Sequence, residues 1–101
     1  MSGRYVSFEP LHALRNYEYY YSQCGELVKP KWRKDPAKIK LYAIPHYYPG
    51  RTDMWAFVVT YDMKITDVKE PHIAEDLHRA IEVTPAQLRD WSAKKYGEWK
   101  L

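Results

Sequence analysis

Apolar and polar positions alternate along this chain with a period that changes from one stretch to the next. Ala13, Leu14, Tyr17, Tyr21 and Cys24 gather on one side of a 3.6-residue wheel. Pro10 suits the first helical turn and Gly25 the residue past the last, so the spacing predicts a helix over about 10–24. On that helix Tyr19 projects away from the apolar side, beside His12 and Arg15. Residues 4–8 have the composition of a short strand. Pro30 and Pro36 exclude a helix or a central strand between them. Beyond them Ile39, Leu41 and Ala43 alternate with Lys38, Lys40 and Tyr42, which predicts a half-buried strand with a basic outer face. Tyr48-Pro49-Gly50-Arg51 has proline and glycine where a type II turn wants them. A return strand over about 54–65 then sets Trp55, Phe57, Val59, Tyr61, Met63 and Ile65 on one face. With Leu41, its first four members are the expected core.

Helical periodicity returns at the C-terminal end. Ile73, Ala74, Leu77, Ala80 and Ile81 share a face over 72–82, with Glu75 and Arg79 four apart as an exposed pair. Thr84-Pro85-Ala86-Gln87 is a capping box with proline at the first helical position, predicting a helix over about 85–96. The expected fold is α+β: a small antiparallel sheet built on a hairpin at about 38–65, with residues 4–8 as its candidate third strand. Helices at about 10–24, 72–82 and 85–96 cover one face of it. No repeat or Gly/Ser linker interrupts the chain, so residues 1–101 are expected to form one domain.

Composition sharpens this picture in two respects. Aromatic residues reach 16%, ten of them tyrosines, which suits either an economical core or a contact surface. The net charge of +3 conceals a basic block: residues 29–51 hold Lys29, Lys31, Arg33, Lys34, Lys38, Lys40 and Arg51 against one acid, Asp35. Such a concentrated field is the usual footprint for a polyanionic partner. Cys24 is the only cysteine and no apolar leader opens the chain, so a cytoplasmic protein is expected. The longest apolar run, Met54 to Val59, falls far short of the roughly 18 residues of a membrane span, and no membrane partner is expected.

Two constellations carry candidate chemistry. Residues Ala74 through Trp91 resemble the helix-turn-helix of bacterial and phage repressors, with Leu77, Ile81, Val83, Leu88 and Trp91 at its apolar positions. The resemblance implies a recognition helix opening at Pro85, on which Gln87 and Arg89 read base edges. The pattern departs at His78, where a small residue is preferred, and at Glu82, a turn position usually given to glycine. The second constellation interleaves cations and aromatics: Lys29, Lys31, Trp32, Arg33 and Lys34, then Lys38, Lys40 and Tyr42, then Tyr47, Tyr48 and Arg51. Cations meet phosphates, and exposed rings stack on unpaired bases.

Signs of catalysis are sparse. His72 and His78 stand six apart, the wrong spacing for a helical metal pair, and no Gly-rich phosphate loop or nucleophile elbow occurs. No catalytic residue, metal or cofactor is expected. The expected function is a small non-enzymatic nucleic-acid-binding domain with a regulatory role. The alternative is a protein-interaction module, an inhibitor or a small subunit such as a viral accessory protein, whose tyrosines and basic patch meet an acidic protein surface.

Overall fold

The computed structural model of the chain describes residues 2–45, 55–71 and 73–96, with the backbone alone for 91, 92 and 94–96. Tyr47, Tyr48, Arg51, His46, His72 and the turn expected over 48–51 lie outside the described residues, as does the side chain of Trp91. The fold is α+β. Strands β1 (Gly3–Ser7), β2 (Ile39–Pro45), β3 (Trp55–Tyr61) and β4 (Ile81–Glu82) form one antiparallel sheet in the order β1-β3-β2-β4. Two α-helices, α1 (Pro10–Ser22) and α2 (Pro85–Tyr96), accompany it.

The N-terminal strand expected over 4–8 forms over Gly3–Ser7 and pairs with residues 57–61 of β3, with Arg4 opposite Thr60 and Val6 opposite Val58. Pairing of β2 with β3 sets Leu41 opposite Val59 and Ala43 opposite Phe57. These residues point to one face, where Ala13 and Leu14 of α1 and Leu88 of α2 bury them. Phe57, Val59, Tyr61 and Leu41 are buried as the alternation requires, and Trp55 is partly buried against them. Each fully buried side chain of this size contributes about 1.5–3 kcal/mol relative to exposure. Gly3 permits the close seat of α1: a Cβ there would lie 3.1 Å from the Tyr20 hydroxyl.

The structure departs from expectation on the opposite face. Ala56 and Val58 are also buried, beneath Val68, Ile73 and Leu77, so β3 is covered on both sides. Helices on one face alone do not describe the molecule. The strand is an almost unbroken apolar run, the pattern of a strand buried on both faces. It stops at Tyr61, and Asp62 turns the chain at a φ of 52°, a conformation Asp tolerates better than most residues. Met63 and Ile65 therefore fall on the second face instead of continuing the first.

The segment expected as a helix over 72–82 is a 3-10 helix, Ala74–Arg79, followed by β4. Its geometry shows in the ion pairing. Arg79 meets Asp76, three residues away, at 3.7 Å, because three residues per turn bring i and i+3 into line. The strand after it follows from Ile81, Val83 and Thr84, whose branched side chains favour extended backbone. β4 pairs with β2 through Tyr42 and Ala43, and Val83 N–H donates to the Leu41 carbonyl at 2.9 Å. The chain thus crosses the open edge of the sheet between residues 80 and 84, leaving one face and joining the other.

Candidate polyanion-binding surface

That crossing removes the geometry on which the helix-turn-helix resemblance rested. Leu77 packs on one face of the sheet and Leu88 on the other, whereas the motif needs two α-helices sharing one apolar seam. Ile81, assigned to that seam, is 51% exposed. The two side chains expected to read bases are engaged elsewhere. Thr84 N–H donates to Gln87 Oε1 at 2.9 Å and Gln87 N–H to Thr84 Oγ1 at 3.1 Å, the reciprocal capping box that opens α2. Arg89 Nη2 lies 2.7 Å from Glu18 Oε1 and ties α2 to α1.

The basic block has a different character. Residues 23–38 leave α1 and return to β2 through two short 3-10 helices, Pro30–Trp32 and Pro36–Lys38, each opened by proline, whose missing N–H costs nothing there. The path between them is held by many bonds. Trp32 N–H donates to the Lys29 carbonyl at 2.9 Å and Lys34 N–H to the Gln23 carbonyl at 2.9 Å. Arg33 Nη2 donates to the carbonyls of Glu26 and Val28 at 3.2 and 3.0 Å, so this cation serves the loop itself. Asp35 N–H donates to the Tyr61 hydroxyl at 2.7 Å and fastens the loop to the end of β3. The Asp35 carboxylate accepts from Ala37 N–H at 3.0 Å and is thereby a cap.

On this frame Lys29, Lys31 and Lys38 are exposed, and Lys34 and Lys40 are half-buried. Lys29 and Lys31 lie 5.1 and 4.9 Å from the centroid of the Trp32 ring, which is itself 60% exposed. Lys34 sits 4.5 Å from the Tyr61 ring and 5.4 Å from that of Tyr20. These three lysines enter none of the ion pairs among the described residues. Lys38 and Lys40 have only loose acidic neighbours, Asp62 at 3.9 Å and Glu82 at 3.7 Å. Exposed pairs at such distances contribute little, about 0–1 kcal/mol. Both line an open cleft of about 490 Å³ that also takes in Tyr42, Lys64 and two acids, Asp62 and Asp67. Lys64 was not among the expected site residues; only the turn at Asp62 brings it beside Lys38.

A second feature lies on the outer side of α1. Tyr19 is 59% exposed, as its position on the wheel requires, and lines a recess with Tyr5, His12, Arg15 and Asn16. The side-chain oxygen of Asn16 is buried there without a partner.

Burial pushes the Cys24 thiol up, Asp35 adds to the shift and Lys34 opposes it. Its sulfur donates to the Tyr20 carbonyl at 3.6 Å. Among the described residues no group of three or more His, Cys, Asp or Glu side chains gathers as a metal site would. No helix among them is long and apolar enough to cross a membrane. No protein family matches the chain, and no curated protein or solved structure does.

Proposed function

We propose that this domain binds nucleic acid without catalysing a reaction on it, through the loop at 29–34 and the adjoining start of β2. The observation that carries this reading is the exposed Trp32 ring flanked by Lys29 and Lys31 on a loop already held in place. A rigid cationic and aromatic loop loses little conformational entropy on binding, so its electrostatic gain is not cancelled by ordering. Lys34, Lys38, Lys40 and Lys64 extend the cationic field along the same end of the sheet. In this reading α2 plays no part in sequence readout.

Affinity measured across a salt series tests the proposal. Each phosphate that a protein cation neutralises releases counterions, giving a log–log slope of about −0.9 per phosphate on duplex DNA and about −0.7 on a single strand. Replacing Lys31, Lys38 and Lys40 together by glutamine should flatten that slope in proportion to the phosphates no longer neutralised. Absence of binding to DNA and RNA at low salt would sink the proposal. A second reading, docking on an acidic protein surface, draws on Tyr19 and its recess. Tyr19→Ala would then weaken a complex isolated from the native host after nuclease treatment.

A further inference from the structure

We infer that the nucleic acid held at this surface is single-stranded, with an unpaired base stacked on Trp32. The inference rests on the proposed nucleic-acid binding and specifies which form is bound. In a duplex each base is already stacked between its neighbours, so an indole on a protein loop reaches only sugar and phosphate. An unpaired base offers its whole face. Trp32 is the most exposed of the rings on the basic loop, and its ring is not used to fill the core. The other way of meeting bases, a flat sheet surface carrying aromatic residues, is closed along the central strand β3, whose residues are buried on both faces. Readout in a duplex groove has lost its two expected bearers, since Gln87 caps α2 and Arg89 pairs with Glu18.

The lysines complete the arrangement. Lys29 and Lys31 both hold their ammonium groups near the Trp32 ring. A base stacking on the ring takes the place of an ammonium group there and leaves it beside the phosphates flanking that base. From Trp32 the chain runs through Lys34 and Lys38 to Lys40. Its contour allows a track of up to about 25 Å, room for only a few nucleotides.

The test measures binding at low salt by fluorescence anisotropy, with wild type, Trp32→Ala and Trp32→Phe. The probes are a thymidine strand of about 12 nucleotides, within the usual site size of single-strand binders, the same strand carrying abasic positions, a hairpin duplex of equal charge, and polyglutamate. The intact strand should bind more tightly than the other three. Trp32→Ala should lower its affinity by about 5- to 150-fold, the range that stacking of one base implies. Duplex affinity and salt slope should stay unchanged, and Trp32→Phe should keep most of the binding. Equal binding of intact and abasic strands by wild type would overturn the inference while leaving nucleic-acid binding intact. That comparison needs no variant to fold. Loss of binding to every nucleic acid would overturn both proposals. Polyglutamate binding as tightly as the strand would overturn both as well and assign the loop to an acidic protein.

Discussion

Replacing Gln87 by alanine distinguishes a helix cap from a base-reading residue. In the structure its Oε1 accepts from Thr84 N–H at 2.9 Å while its own N–H donates to Thr84 Oγ1 at 3.1 Å. The first turn of any helix leaves backbone N–H groups without intrahelical partners, and Pro85 removes one by having none. The box satisfies another and holds Thr84 in place. Loss of a capping side chain costs about 0.5–2 kcal/mol. Water can replace part of these bonds, because Thr84 and Gln87 are both exposed, so about 1 kcal/mol is the expected loss. In a domain of this size that lowers the melting temperature by about 4–8 °C. Thr84→Ala should cost a similar amount, and the double variant less than the sum, because each single change already breaks the box. Thermal unfolding followed by circular dichroism measures all three, with nucleic-acid affinity titrated in parallel. Affinity should not move. If Gln87→Ala leaves the melting temperature unchanged and weakens binding several-fold, the residue reads nucleic acid and the capping argument is wrong.

Further expectations follow from the packing. Leu77→Ala and Leu88→Ala should each cost about 2–5 kcal/mol and add within about 0.5 kcal/mol, since they pack on opposite faces of the sheet; coupling above about 1 kcal/mol in urea titrations would mean the shared seam of a helix-turn-helix after all. Thr60→Val should raise stability by about 1 kcal/mol, because the Thr60 hydroxyl is buried without a partner between Arg4 and Lys40; a loss would reveal a hydrogen bond to that oxygen. Burial, assisted by the neighbouring Tyr21, pushes Tyr17 up to about 12, and burial also raises Tyr20 and Tyr42. The folded state therefore holds these protons more tightly, and stability present below pH 10 should be lost between pH 10 and about 12. A melting temperature flat across that window would contradict the burial of these hydroxyls.

Local patterning made much of the fold legible. Pro10 and the positions of Ala13 and Leu14 placed α1 within two residues of its observed end. Strict alternation placed β2, and Thr84 with Gln87 placed the start of α2. The misread segment, 72–82, carries two overlapping signals. Ile73 and Leu77 are four apart, as on a helix, while Ile81 and Val83 alternate, as on a strand. A pattern alone does not say where one gives way to the other. The open edge of β2 decides it, by pairing with Ile81 and Glu82. The same long-range pairing separates Leu77 from Leu88, and no local pattern contains it. Of the candidate site, the run of cations on a proline-bounded loop was legible; the exposure of Trp32 was not, because an indole in that loop suits the edge of the core as well as a contact surface. The structural employment of Arg33 was not, because its partners are main-chain carbonyls, which leave no mark on residue identity.

The covering of both sheet faces also decides where binding chemistry can reside. A sheet that meets nucleic acid with its surface must leave one face open for bases to stack on. Here the residues of β3 that would form such a platform are buried on each side. Polar and aromatic groups are therefore displaced to the periphery. At the end marked by Tyr61, the loop from α1 arrives with Lys29, Lys31 and Lys34, and the turn at Asp62 returns Lys64 beside Lys38. Acids stand at that end too: Asp35 caps a 3-10 helix, Asp62 faces Lys38, Glu82 faces Lys40, and Asp67 lines the cleft beside Lys64. Partial neutralisation by loose surface pairs leaves the field positive where the ring of Trp32 stands clear of the core. The apolar sheet fixes the scaffold, and the proposed recognition falls to the loop that is too rich in proline and lysine to enter it.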